Sequence, residues 1–313
     1  MSDLAGKLCV VFGATGFIGW NLCQRLLREG AIVRGVFRKE LSTHQRQESR
    51  IQWMQGNLVD RAFVSNAVAG CHIVFNLAST SSPGNYNLSP AADVFDNVLP
   101  ALQLAEISAS AGVERFIFAS SGGTVYGAGS EYPVREASPT EPISAYGVGK
   151  LTVEKYLEVC RRHLHLSCVS LRISNPYGPH QSAHKGQGLV AKLLDCASSG
   201  EKMIIWGDGR IVRDYVHVHD VVSAFSGIAK SATDIGLFNV GSGRGSTVNE
   251  LIALVELVSG RQIQVEYVPG RAADVPINVL DSSLIAETIH WKPEITLEDG
   301  VADTWNWYAS ANQ

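Results

Sequence analysis

The first 175 residues alternate between apolar runs of strand length and stretches whose apolar residues recur at helical spacing. After the first run, for example, Leu22, Leu26 and Leu27 share one helix face, and the pattern ends at Gly30. Strands separated by helices predict an α/β fold with a doubly wound parallel sheet and helices on both faces. Strands are predicted at 7–13, 32–37, 51–54, 72–78, 115–119 and 167–173, and helices at 62–69, 94–111 and 145–162.

The pattern changes after the segment N-P-Y-G-P at 175–179, where glycine-punctuated loops become longer. Beyond it we predict a strand pair at 203–206 and 213–218, helices at 220–229 and 248–259, a strand at 237–240, and a polar tail that contains Trp305, Trp307 and Tyr308. The chain is therefore expected to form a first domain over 1–175 and a smaller α/β C-terminal lobe over 176–313, some segments of which return to the first domain.

Charge and hydropathy exclude several classes of partner. The 26 Lys and Arg residues are outnumbered by 30 Asp and Glu residues among 313, so the chain lacks the basic surplus that nucleic acid or an anionic membrane selects. No apolar run approaches the roughly 20 residues that span a bilayer, and no secretory signal is predicted at the N-terminus. We expect a cytoplasmic protein without nucleic-acid or membrane partners.

Cysteine and histidine spacing does not predict a metal site. The six cysteines are scattered without a C-x-x-C pair, which is typical of buried thiols in a reducing compartment. His217 and His219 lie two residues apart in an apparent strand, a pattern more typical of one packed strand face than of a chelating pair.

Glycines at 13, 16 and 19 lie between the first predicted strand and the first predicted helix, the context of a dinucleotide-binding turn. Gly13 permits the tight turn, Gly16 lets backbone N–H groups approach a pyrophosphate, and Gly19 lets helix and sheet pack closely. The turn, with Thr15, Phe17 and Ile18, is the predicted cofactor site of a Rossmann-like domain. A glycine-rich loop that binds nothing is the alternative.

The end of the second strand bears on the choice of cofactor. NAD-selective sites place an acidic residue there to accept from the ribose 2′-hydroxyl, whereas this chain has Arg38 and Lys39. Because a guanidinium matches a phosphate through paired hydrogen bonds, Arg38 modestly favours NADP. If Arg38 is only a solvent-facing cation, the cofactor is NAD.

Tyr146 and Lys150 are separated by one helical turn and follow a hydroxyl-rich loop at 120–127. The pKa of a tyrosine phenol in water is about 10, so the phenol can act as a base near neutrality only beside a cation that stabilises the phenolate. Lys150 and an oxidised nicotinamide supply such charges, while a serine or threonine hydroxyl holds the sugar oxygen.

Several motifs together give the chain its resemblance to the extended short-chain dehydrogenase/reductase family, and within it to nucleotide-sugar 4-epimerases. They are G-A-T-G-F-I-G at 13–19, S-S-G-G-T-V-Y-G at 120–127, Y-x-x-x-K at 146–150, L-R-I-S-N-P-Y-G-P at 171–179 and V-R-D-Y-V-H-V-H-D at 212–220.

The resemblance implies a role for each matching residue. Tyr146 is the acid/base, Lys150 binds the nicotinamide ribose, and Ser121 is the catalytic hydroxyl that also contacts substrate, with Thr124 as the alternative because Gly122 and Gly123 replace two hydroxyl residues. The remaining implied residues are Asn57 and Leu58 at the adenine, Leu77, Ala78 and Ser79 at the cofactor, Asn97 as a supporting residue, and Asn175, Arg213, Arg271 and Asp274 at the substrate nucleotide.

The reaction implied is NAD(P)-dependent 4-epimerisation of a UDP-, dTDP- or GDP-sugar through a transient 4-keto intermediate. A 4,6-dehydratase is disfavoured because Gly123 and Thr124 stand where that reaction uses an Asp-Glu pair. An NADPH-dependent reductase of 4-keto-6-deoxy sugars is the alternative, and a non-catalytic cofactor sensor is the least favoured. The resemblance also implies a homodimer formed through the helices at 94–111 and 145–162.

Overall fold

A seven-stranded parallel sheet forms the centre of the computed structural model, which describes residues 3–81, 89–128, 131–183, 188–270 and 275–311. The strand order β10-β6-β5-β4-β1-β2-β3 changes direction between β1 and β4, which places a crevice at the carboxyl ends of these two strands. The strands are β1 (Leu8–Phe12), β2 (Ile32–Phe37), β3 (Ile51–Gln55), β4 (Ile73–Asn76), β5 (Arg115–Ser121), β6 (Cys168–Ile173) and β10 (Leu237–Val240).

Helices cover both faces of this sheet, because its strands are almost continuously apolar and need cover on each side. On one face Leu22, Leu26 and Phe225 pack into the core, and on the other face Leu104 and Leu157 do so. The predicted doubly wound α/β fold is confirmed. The helices that flank the sheet are α1 (Phe17–Arg28), α2 (Thr43–Gln47), α3 (Arg61–Val68), α4 (Pro90–Asp93), α5 (Leu99–Ser110), α6 (Ala145–His163) and α8 (Val218–Lys230).

The helix predicted at 94–111 is interrupted in the structure. It starts earlier, as α4, and passes through a π-helical turn over Val94–Val98 before it continues as α5. A π-helical turn widens the helix locally and is often found at functional sites. Apolar spacing does not reveal such a turn, since it shifts the helical phase by only one residue.

The C-terminal region adds two small sheets. One contains β11 (Gly245–Thr247), β9 (Val212–His217) and β13 (Ile277–Asn278), with β7 (Asn175–Tyr177) also paired to β9, and the other contains β12 (Val265–Val268) and β8 (Met203–Trp206). The predicted pairing of 203–206 with 213–218 is therefore wrong. The partner of β8 lies far along the chain in the parallel direction, so local spacing does not indicate it.

The predicted polar tail is in fact α11 (Leu297–Ala311), which packs Val301 and Trp305 onto a third hydrophobic cluster. That cluster also contains apolar faces of α7 (Leu189–Ser199) and α9 (Val248–Ser259), and α10 (Ser283–Ile289) lies beside β10. None of the helices in the described part of the chain is long and apolar enough to cross a membrane.

Candidate active site

The turn between β1 and α1 has the geometry that its glycines predict. Gly13 has a φ of +83°, and a Cβ there would approach Ala78 N and the Leu77 carbonyl to 3.0 Å. A Cβ at Gly19 would collide with the Gly13 carbonyl oxygen. Gly16 is the N-cap of α1 and has no capping side chain, so the first N–H groups of the helix are available to an anion.

A cavity of about 960 Å³ opens at this turn, along the carboxyl ends of β1, β2 and β4. Its volume and position suit a dinucleotide, and most of the residues expected at the cofactor line it: Gly13, Thr15, Gly16, Arg38, Asn57, Leu58, Leu77, Ala78 and Ser79. Phe17 and Ile18 of the same motif instead pack against the core beneath α1. The residues present therefore fit a nicotinamide dinucleotide.

Arg38 stands at the exposed end of this cavity, directly after β2, with Lys39 next to it. The acidic residue that follows is Glu40, whose Oε2 lies 3.5 Å from Arg46 Nη2 and therefore forms an ion pair with that arginine. The adenosine end of the cavity thus carries positive charge where an NAD-selective site carries a carboxylate.

Four rings that the sequence does not single out form one wall of the cavity. His180 lies 5.2 Å from His44, 5.9 Å from Trp20 and 4.9 Å from Trp307, measured between ring centroids. Burial lowers the pKa of His180 to about 4, so this ring is neutral near pH 7. His180 directly follows the N-P-Y-G-P segment, so its position beside that motif could have indicated it. Trp307 lies on the C-terminal helix, and no motif indicates its place in this wall.

Tyr146, Lys150 and Ser121 meet beside this cavity. Ser144 caps α6 and places Tyr146 in its first turn, and one turn later the Lys150 ammonium lies 5.5 Å from the Tyr146 ring centroid. The Ser121 side chain, at the end of β5, interacts with the Tyr146 phenol in the direction that lowers its pKa. Lys150 Nζ also donates to the Ala119 carbonyl at 2.8 Å, which fixes its side chain against β5.

Burial governs the protonation of both groups. It raises the pKa of Tyr146 to about 12, and the Ser121 hydrogen bond opposes the rise. It lowers the pKa of Lys150 to about 8, opposed by the charges of Asp93 and Glu154. At neutral pH the site therefore holds a phenol beside an ammonium, and added positive charge or a substrate hydroxyl that donates to the tyrosine oxygen favours the phenolate.

Ser121 and Thr124 are placed differently. Ser121 influences the pKa of Tyr146, while Thr124 Oγ1 is buried without a hydrogen-bond partner among the described residues. Asn97, in the π-helical turn, accepts from the Thr80 N–H at 2.7 Å and donates to Ser81 Oγ at 3.1 Å. Asn97 therefore holds the loop after β4 against the helix that faces the site.

Two of the residues expected at the substrate nucleotide, Asn175 and Arg213, lie on the paired strands β7 and β9. Asn175 Nδ2 donates to the Asp214 carbonyl at 3.0 Å, and Arg213 Nη1 donates to the Val275 carbonyl at 2.7 Å. Arg271 and Asp274 lie outside the described residues.

His217 and His219 do not share a strand face as expected, since β9 ends at His217 and α8 begins at the next residue. They and Asp303 place ligand atoms within 4.8 Å of one another. His217 Nδ1 accepts from the His219 N–H at 3.4 Å, so Nε2 carries the ring proton. Nε2 lies 3.4 Å from Asp303 Oδ2 but has no hydrogen-bond partner among the described residues.

Comparison with known proteins defines the class to which this fold and site belong. The model of the NAD dependent epimerase/dehydratase family matches residues 9–241, so the chain belongs to that family, as its motifs predict. Among its relatives, a UDP-glucose 4-epimerase of Mycolicibacterium smegmatis is 34% identical over 97% of this chain and 99% of its own length.

Solved structures give the same picture. The UDP-glucose 4-epimerase of Thermotoga maritima, with UDP-glucose, has a TM-score of 0.93 and 32% identity over 98% of this chain and 100% of that one. The Thermus thermophilus UDP-glucose 4-epimerase, in complex with NAD, has a TM-score of 0.89 and 29% identity over 97% of this chain and 100% of that one. The enzyme class is therefore an NAD(P)-dependent epimerase of the extended short-chain dehydrogenase/reductase type.

Proposed function

We propose that this protein is an NAD(P)-dependent nucleotide-sugar 4-epimerase that acts on a UDP-hexose. The observation that carries the proposal is the contact of Ser121, Tyr146 and Lys150 at the carboxyl edge of the sheet, beside a cavity suited to a dinucleotide. The relatives with this fold include epimerases named for UDP-glucose. Residues 1–175 mainly bind the cofactor, and residues 176–313 mainly bind the sugar nucleotide.

The mechanism follows from the positions of these side chains. Ser121 orients the C4 hydroxyl of the sugar, and Tyr146 removes its proton while Lys150 stabilises the phenolate by charge. Gly13, Gly16 and Ser79 line the cavity that would hold the dinucleotide, which when bound would supply the hydride acceptor and donor for C4. The 4-keto sugar then turns within the pocket, so that hydride re-enters C4 from the opposite face while Tyr146 gives its proton back to the C4 oxygen, and the configuration at C4 is inverted. No further acid or base is required, which agrees with Gly123 and Thr124 in place of the acidic pair that a dehydratase uses.

The remaining polar residues would hold the nucleotide. Asn175 and Arg213 on adjoining strands, together with Arg271 and Asp274, would bind the diphosphate and ribose of the substrate. UDP is the nucleotide favoured by the named relatives, in preference to dTDP or GDP. For the cofactor, Arg38 continues to favour NADP, whereas the Thermus relative was solved with NAD. A cytoplasmic location agrees with six buried, unpaired cysteines.

The proposal is tested with the purified protein and UDP-galactose, without added cofactor or reductant. Formation of UDP-glucose supports the epimerase, whereas consumption of free NADPH by a 4-keto-6-deoxy sugar, without hexose interconversion, would establish the reductase instead. Tyr146→Phe should lower kcat by roughly 10²–10⁴ because it removes the acid/base. Ser121→Ala should cost far more activity than Thr124→Val, and the reverse order would transfer the hydroxyl role to Thr124.

We also propose a homodimer formed through the helices α4 to α6. These helices and the π-helical turn between them carry large apolar side chains that are exposed, and Phe95 is 65% exposed. The exposed set is Val94, Phe95, Leu99, Val148, Tyr156 and Val159. Exposed apolar side chains on packed neighbouring helices are typical of a surface that another chain covers. Phe95→Asp should convert a sedimenting dimer to monomer at micromolar concentration, and a wild-type protein that sediments as a monomer would refute the proposal.

A further inference from the structure

A buried carboxylate stands behind the Tyr146–Lys150 pair. Asp93 is the last residue of α4, next to the π-helical turn, and is only 3% exposed. Its Oδ1 accepts from Asn97 Nδ2 at 2.9 Å, and its Oδ2 occupies the space that a Cβ at position 149 would need. Gly149 directly precedes Lys150, so the missing side chain lets the carboxylate reach the helix that carries the catalytic pair.

Asp93 and Lys150 line the same small cavity, with Tyr146 and Asn97. Its volume of about 10 Å³ suits roughly one water molecule, which can bridge a carboxylate and an ammonium. Among the described residues, the groups in contact with the ammonium are uncharged. They are the Ala119 carbonyl at 2.8 Å and the rings of Phe118 and Tyr146, whose centroids lie 4.7 Å and 5.5 Å from Nζ.

The second acidic group near Lys150 already has a cation. Glu154, one helical turn further along α6, binds Arg172 of β6 through Nη2 at 2.7 Å and Nε at 3.1 Å. It also accepts from the Ser120 hydroxyl. Because the charge of Glu154 is balanced by Arg172, the carboxylate left to balance Lys150 is that of Asp93, whose hydrogen-bond partner is a neutral amide.

We propose that Asp93 is a positioning residue whose buried carboxylate keeps Lys150 in its ammonium form beside Tyr146. The inference rests on the proposed function, since it concerns the base of that reaction. The directions of the pKa shifts agree: burial lowers the pKa of Lys150 and Asp93 opposes this. Asp93 also raises the pKa of Tyr146, by less than burial does.

The test is Asp93→Asn, which keeps the shape and the hydrogen bond from Asn97 and removes the charge. In protein carrying ¹³C at lysine Cε, the Lys150 resonance, assigned by its loss in Lys150→Arg, should titrate about one pH unit lower, a tenfold weaker proton affinity. The alkaline limb of the kcat–pH profile should move down by a similar amount. Glu106→Gln, which removes an exposed charge from α5, is the matched control and should leave both unchanged.

Gly149→Ala provides a second route, because its methyl group displaces the Asp93 carboxylate without removing a charge. It should move the Lys150 titration in the same direction by a smaller amount. An unchanged Lys150 titration in both variants, with activity reduced equally at every pH, would mean that Asp93 only supports the fold and would overturn the proposal. Absence of epimerisation by the wild-type protein would refute the proposed function alone, since the lysine titration is measured without turnover.

Discussion

A buried ion pair near Lys150 offers the sharpest stability prediction. Arg172 is 2% exposed, and its guanidinium makes three contacts of 2.7–3.2 Å with the Glu154 carboxylate. The guanidinium carbon also lies 4.7 Å from the centroid of the Tyr126 ring. Glu154→Gln preserves the size of the side chain but leaves the buried arginine without its counter-charge.

The expected cost follows from the separation and the burial of the two charges. Unit charges about 4 Å apart at an effective dielectric constant of about 20 attract by about 4 kcal/mol. Removal of one partner from a buried pair typically costs about 3–5 kcal/mol, because the remaining charge stays desolvated. Glu154→Gln should therefore lower the free energy of unfolding by about 4 kcal/mol. With an m-value of about 3 kcal/mol per molar urea, the midpoint falls by roughly 1 M.

The same helix provides the control. Glu158, one turn beyond Glu154, binds Arg161 and Arg162 at the surface, where such pairs contribute up to about 1 kcal/mol. Both variants are unfolded in urea at one protein concentration and followed by circular dichroism. If Glu154→Gln costs no more than Glu158→Gln, the charge of the buried pair contributes nothing and the reasoning is wrong.

Three further perturbations have defined outcomes. Gly19→Ala should weaken binding of the dinucleotide at least tenfold in a fluorescence titration with NADH, because the new methyl group displaces the Gly13 carbonyl and with it the phosphate-binding turn. Tyr126→Phe should cost about 1–2 kcal/mol in urea unfolding, since the phenol donates to Asn239 Oδ1 at 2.7 Å in the core. Burial lowers the pKa of His217 to about 3, below the unfolded value of about 6.5, so the unfolded chain takes up the proton first. Stability should therefore fall below pH 6.5, by about 2 kcal/mol at pH 5, and His217→Gln should remove this part of the loss between pH 7 and pH 5.

The sequence predicts the central sheet well because its signals are local. Most strands of this sheet are short, mainly apolar runs, and the strand at Ile32–Phe37 has the predicted bounds. Which strands pair with one another is less evident from local sequence. Spacing predicts the strand Leu237–Val240, but its place beside β6 in the main sheet, and the pairing of β8 with β12, depend on contacts between distant segments.

The amino-acid sequence by itself determined the dinucleotide turn and the Tyr146–Lys150 pair, because glycine geometry and the helical repeat are properties of neighbouring residues. Only the tertiary structure brought Asp93 against Gly149 and enclosed the cofactor cavity with His180 and other rings. These contacts join helices and loops far apart in the chain. Their distances are set by how the helices pack on the sheet, which no local pattern records.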